Sequence, residues 1–262
     1  MYNPAGADII APLASLFKDV VDCFDNIRLA RNFEEDFDVH KLQLEIAQFR
    51  LARWGESVGF ALEDLSDLYD CFKVREADLA YDILTKIVLQ LKEAFNTASG
   101  YESRIEERST SRELCGREYV EDNDEMAELH RKIRRQAISL PSQSPGSFVR
   151  GLGLASRWAL YEPQHLTTLI GTVTCFIKEL EDIFDMKEQQ SVLCKKIAAE
   201  LLSCGHEAQS LVREVAAEQD KPLRDVLGKG ILSVSTRRST RLASGSNAGA
   251  KSLLRNVRFS LP

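Results

Sequence analysis

The chain has 262 residues, 44% of them hydrophobic and 28% charged, with a net charge of −6, the composition of a soluble globular protein with a sizeable core. Its longest early apolar run, Ile9 to Phe17, is nine residues against the roughly 20 that a transmembrane helix needs. Asp8 and Pro12 interrupt that run and no basic stretch precedes it, so neither a bilayer span nor a secretory signal is expected.

The charge is divided unevenly. From Lys221 to the end there are nine Lys/Arg and one Asp, +8, which leaves −14 for residues 1–220. We draw a domain boundary there: an acidic body, 1–220, and a basic, Ser/Arg-rich tail, 221–262. Such a tail docks on the body, meets an anionic partner such as lipid headgroups, or stays solvated; nucleic acid is not expected. The six cysteines show no CxxC and no paired spacing. Cys175, Cys194 and Cys204 lie in helical patterns as small hydrophobes, so a reducing, cytoplasmic location is expected.

Asp8 to Leu29 reads as the first helix, with Leu13, Leu16, Phe17, Val20, Val21, Phe24 and Ile27 at steps of three and four. Pro12 fits only if it lies in the first turn. Residues 35–54 read as the central helix. Leu42, Ile46 and Phe49 make one apolar stripe, and Leu44, Ala47, Leu51 and Trp54 make another on the opposite side. Two stripes demand packing between other helices. Gly55 then suits a left-handed cap.

Asp64, Asp67 and Asp70 share a helix face, but no Gly turn or terminal Glu completes a calcium loop; this is a solvated acidic face. Glu76 to Ala98 is cleanly amphipathic, with Gly100 as its stop. Residues 101–123 read as loop or loose helix. Asp124 to Leu140 is helical through Met126, Leu129, Ile133 and Ala137, and 139–147 is a flexible connection. Phe148 to Leu160 reads as a short helix. Pro163 opens a long one whose seam is Leu166, Ile170, Val173, Ile177, Leu180 and Phe184. Leu193, Ile197, Leu201, Cys204, Ala208, Leu211 and Val215 continue the pattern. Only residues 231–236 (ILSVST) alternate with period two. The fold class is all-α, a compact bundle of seven to nine helices around residues 35–54.

Catalytic motifs are absent. Gly228-Lys229-Gly230 lacks the upstream glycine and the Ser/Thr of a phosphate loop. There is no GxSxG, no HExxH, and His40, His130, His165 and His206 are scattered singly, as surface or capping residues are. No cofactor or metal site is expected, and neither is an enzyme.

Residues 16–37 (LFKDVVDCFDNIRLARNFEEDF) and 42–59 (LQLEIAQFRLARWGESVG) resemble the opening of the HeLo domain of fungal HET-S-type heterokaryon-incompatibility proteins. VDCF (21–24) and R-L-x-R-W-G (50–55) carry the likeness, with LHRKI (129–133), RWALY (157–161) and ELEDIF (179–184) following in the same order over residues 8–215. The resemblance implies a non-enzymatic helical domain that associates with itself or with another HeLo protein. In that family the domain can be switched by an amyloid-forming tail to expel its first segment into membrane and kill the cell. Fungal loss-of-pathogenicity proteins are grouped there too.

By the resemblance, Asp22 falls where the family has an Asp needed for toxicity. Asn32 falls where toxic forms have His, so toxicity is not implied for this chain. Asp8, Pro12, Lys18 and Asp19 would have to enter lipid, and each charge at the bilayer centre costs about 2.5–3.5 kcal/mol. The tail has no internal repeat, and its stacked basic charges would oppose an in-register fibril, so no prion-forming region is expected. Arg237, Arg238, Arg241, Lys251, Arg255 and Arg258 are the candidate contacts for an anionic partner. SLLRNVRF (252–259) reads either as a basic amphipathic helix that touches membrane or docks on the body, or as a disordered segment.

Overall fold

The structure is a computed structural model that describes residues 4–30, 33, 36–60, 73–108, 124–137, 151–154, 157–184 and 186–228. Among these, eight helices and two short strands follow in order: α1 (Pro4–Phe24), β1 (Ile27–Leu29), α2 (Phe37–Val58), α3 (Val74–Arg108), α4 (Asp124–Ala137), β2 (Trp158–Leu160), α5 (Pro163–Ile183), α6 (Lys187–Leu201) and α7 (His206–Gln219), then α8 over 221–228. The fold is all-α, as its 3.6-residue periodicities require.

The two apolar stripes of α2 explain its place. It touches α1, α4, α5, α6 and α7, and every residue from Leu44 to Gly55 is buried. Around it α1 packs on α3, α3 on α5, and α4 on α6. The seam of α5 is core throughout: Leu166, Val173, Ile177 and Leu180 have no exposure. The helix is interrupted at 202–205 between α6 and α7; Ile197, Leu201, Cys204, Ala208 and Val215 are buried as expected, with Cys194 and Val212 inside in place of Leu193 and Leu211.

Four boundaries differ from the sequence expectation. First, α1 begins at Pro4, which puts Pro12 inside the helix rather than in its first turn. Pro12 is exposed, so the hydrogen bond that a proline removes is lost on the solvent side. Second, the helix stops at Phe24 because Asp25 and Asn26 bond back three residues, to Asp22 and Cys23. The chain then extends as β1.

Third, α2 does not stop at Gly55. The left-handed residue is Gly59 (φ 96°): its N–H donates to the Glu56 carbonyl while the Phe60 N–H donates to that of Gly55, a Schellman arrangement. Gly55 answers a packing need instead, since a Cβ there would lie 2.0 Å from Phe17 Cζ. Fourth, α3 runs through Gly100 to Arg108. A glycine costs a helix about 1 kcal/mol but does not end one that is already nucleated.

The expected helix at 148–160 is corrected more sharply. Trp158–Leu160 is a strand, parallel to β1, with Ile27, Arg28 and Leu29 opposite Trp158, Ala159 and Leu160. Flanking bonds extend the pairing, from Trp158 N–H to Asn26 O and from Ala30 N–H to Leu160 O, each 2.9 Å. Residues 61–72, which hold the three aspartates, and segments 139–147 and 231–236 lie outside the described residues. The first part of the expected tail, 221–228, is helical, with Leu223 and Leu227 buried.

Candidate functional site

Asp22 sits in the last turn of α1, half-buried between Lys18, Asp19 and Asp25. Burial is the main cause that pushes its carboxyl up from the ordinary 3.8 to about 6; Lys18 pulls it partly back, while Asp25 and Asp19 push it further. Cys23 beside it is raised to about 12 by burial, with Asp19 and Asp22 adding to it, so it is a thiol with no nucleophilic character at neutral pH. Asp25 is the connecting group. It accepts from Gln48 Nε2 of α2 at 3.2 Å and pairs with Arg134 of α4 at 3.2 Å.

A carboxyl whose pKa is raised on folding destabilises the fold wherever it must ionise. That penalty is complete above the folded pKa near 6 and disappears below the unfolded value of 3.8. Asp22→Asn is therefore expected to stabilise the protein at pH 7 by about 1–2 kcal/mol, after allowance for solvent screening of a half-exposed group. Thermal melts from pH 7 down to pH 4 check it. The difference between variant and parent shrinks along that series; a constant difference contradicts the assignment.

The second cluster was not legible as a site. Arg53, on α2, has no exposure, and its guanidinium meets Asp220 in a two-pronged contact, Nη1 to Oδ2 at 2.6 Å and Nη2 to Oδ1 at 3.0 Å. Nη1 also donates to Cys194 Sγ at 3.0 Å, and Glu181 lies 3.5 Å from Nη2. Burial alone would lower the pKa of Arg53; Asp220, with Cys194 and Glu181 beside it, leaves it raised. Arg50, one turn earlier, donates from Nε to Glu181 at 3.1 Å and from Nη1 to the Gln219 carbonyl at 2.7 Å. Asp220 in turn accepts the Leu223 N–H at 3.1 Å, which caps α8. Asp220 thus ends α7 through its backbone N–H, while its carboxylate opens α8 and pairs with the buried arginine of the central helix.

His130 is also not the surface residue expected of a lone histidine. It is buried, with Nδ1 2.7 Å from Glu45 of α2 and Nε2 3.4 Å from Asp38. Beside the Arg50–Glu181 pair a groove of about 610 Å³ opens, lined by four basic and four acidic side chains, a balance that favours neither anion nor cation. No group of three His, Cys, Asp or Glu that could hold a metal occurs among the described residues. Asn32 and the basic positions Arg237, Arg238, Arg241, Lys251, Arg255 and Arg258 lie outside the described residues.

What these clusters share is structural support for α2, and comparison with known proteins agrees with that architecture. The HeLo model, described as prion-inhibition and propagation, matches residues 7–213. This chain belongs to the HeLo family. It is 27% identical over 231 residues to heterokaryon incompatibility protein s of Podospora anserina, covering 87% of this chain and 75% of that protein. It is 26% identical to heterokaryon incompatibility protein S of the same fungus, with the same coverage. The solved HET-s N-terminal domain superposes with a TM-score of 0.69 at 25% identity, over 85% of this chain and 98% of that one. A doubly substituted form of that domain gives 0.67 at 24% identity.

The HeLo motifs can now be placed. R-L-x-R-W-G contributes Arg50 and Arg53 to the buried ion cluster and Trp54 to an aromatic group with Phe17 (5.7 Å), Phe60 (5.7 Å) and Phe184 (5.9 Å). RWALY is β2 with its flanks, and VDCF ends α1.

Proposed function

We propose that this HeLo chain is a non-enzymatic interaction domain that associates with itself or with another HeLo protein, in fungal cell-death or host-interaction signalling. The observation that carries the reading is the HeLo match across residues 7–213. The named relatives, proteins of heterokaryon incompatibility, support the cell-death part of that reading. Nothing in the proposal requires catalysis, and Asp22 enters it as the position whose ionisation strains the end of α1.

The membrane-active alternative has less behind it. No described helix is long and apolar enough to cross a membrane. The apolar side of α1, including Leu13, Phe17 and Val20, is core, so withdrawing it would open the domain.

The test is sedimentation velocity of the full chain, alone and mixed with the HET-s N-terminal domain, up to roughly 100 µM, where a micromolar contact is well populated. A concentration-dependent rise in sedimentation coefficient, in either sample, is the expected result. A chain that stays monomeric in both overturns the proposal.

A further inference from the structure

Among the described residues Cys23, Cys175, Cys194 and Cys204 are free, and Cys204 differs from the rest in what touches its sulfur. Burial pushes the Cys23 and Cys194 thiols up to about 12. The nitrogen on Cys194 is Arg53 Nη1, part of a guanidinium that keeps its proton. Cys175 is exposed. Cys204 Sγ lies 3.5 Å from the Lys132 amine, which places a thiol and a primary amine in contact.

Both partners are held in place. Lys132 belongs to α4, and its Nζ reaches the corner between α6 and α7. There it donates to Ser203 Oγ at 2.7 Å and to the Glu200 carbonyl at 3.3 Å, while Glu128 lies 3.2 Å away. Ser203 Oγ donates to the same Glu200 carbonyl at 2.7 Å. Cys204 is pinned through its backbone: its N–H donates to the Leu201 carbonyl at 3.0 Å and its carbonyl accepts from Gln209 Nε2 at 2.7 Å. The nitrogen–sulfur contact is therefore built by bonds on each side. The Lys132 side chain keeps 12% exposure and Ser203 is exposed, so a small oxidant reaches the pair from solvent. The separation is far too long for a direct sulfur–nitrogen bond and nearer the span of one bridging atom.

We propose that dioxygen joins Lys132 and Cys204 through a single oxygen atom, an N–O–S bridge that ties α4 to the α6–α7 corner. The ammonium first gives its extra proton to solvent. One oxygen atom is then inserted between Nζ and Sγ, and the other leaves as water with the thiol proton and one amine proton. Nitrogen and sulfur lose two electrons each, and dioxygen takes all four. Two equivalents of a dithiol reverse the step, returning the thiol, the amine and one water. The bridge joins positions 72 residues apart, which restricts the unfolded chain. It also fixes α4, whose His130 faces Glu45 of α2, and so acts as a redox-dependent lock on the bundle.

Peptide mass mapping of the full chain tests it. One sample is kept in air-saturated buffer and another in dioxygen-free buffer with a dithiol. Both are denatured with free thiols blocked and digested with trypsin, which does not cut after a bridged lysine. The air-exposed sample is expected to yield a linked pair containing Lys132 and Cys204, heavier than its two peptides by one oxygen less two hydrogens; the reduced sample lacks it. Cys175→Ser leaves that product in place, and Lys132→Arg, which keeps the positive charge, abolishes it. The thermal midpoint of the parent rises on bridging and falls back with dithiol, whereas that of Lys132→Arg does not respond. A Cys204 peptide that carries oxygen without a partner, a disulfide at Cys204, or an unmodified Cys204 after air exposure each overturns the proposal. These outcomes are read on the parent chain, so they hold whether or not a variant folds.

Discussion

Arg53→Met is expected to lower the stability of the domain by about 3–5 kcal/mol, because it leaves Asp220 as a buried carboxylate without a counter-charge. Neither partner has any side-chain exposure, so water cannot take over the lost contact. In a protein of this size that corresponds to a fall in thermal midpoint of roughly 6–20 °C. Asp220→Asn is expected to cost a similar amount from the other side, by stranding the guanidinium between Cys194 and Glu181. The amide still accepts the Leu223 N–H, so the α8 cap survives and the loss reports on the charge alone. Combining Arg53→Met with Asp220→Asn removes both charges together, and the double variant is expected to be more stable than either single one. A double-mutant cycle measured by urea unfolding reads that coupling. Additive losses would mean that the two residues act independently.

The second large effect is at Gly55. A Cβ there would stand 2.0–2.5 Å from three atoms of the Phe17 ring. That ring is itself buried against Trp54 and Phe60, with centroids 5.7 and 5.4 Å away, so it has nowhere to retreat. Gly55→Ala is expected to destabilise by about 1–3 kcal/mol through overpacking, although alanine is the better helix former by about 1 kcal/mol. Gly171 provides the comparison. It is exposed on α5 with open space where its Cβ would go, and Gly171→Ala is expected to stabilise by about 0.5–1 kcal/mol. Adding Phe17→Leu to Gly55→Ala should recover part of the loss; chemical denaturation of the three variants checks it. If Gly55→Ala behaves like Gly171→Ala, the close approach of Phe17 is refuted.

Periodicity explains what could be read in advance. The stripes of α2, α3 and α5 are long enough for the 3.6-residue repeat to declare itself, and the residues picked from them form the core. β1 and β2 are three residues each, too short to display a period of two, and their pairing joins residues 131 positions apart in the chain. Gly55 shows the limit of such signals. Glycine is a common helix stop, but the sequence does not tell a glycine that needs positive φ from one that needs space, and it was Gly59 that took the left-handed position.

Arg53 was hidden because arginine reads as solvent-facing and its partner is remote. A signal was available. With two apolar stripes on α2, the polar residues between them were bound to meet another element, and Arg50, Arg53, Glu45 and Gln48 all do.

The tie between Arg53 and Asp220 also has a consequence for how the protein is made. The two are 167 residues apart in the chain, and at about 5–20 residues per second roughly ten to thirty seconds of translation separate them. Throughout that interval the central helix exists without the carboxylate that neutralises it, and its surroundings cannot close over the arginine. The ribosome therefore releases this domain into its final form late, after α7 and the first turn of α8 have emerged, however early its N-terminal helices appear.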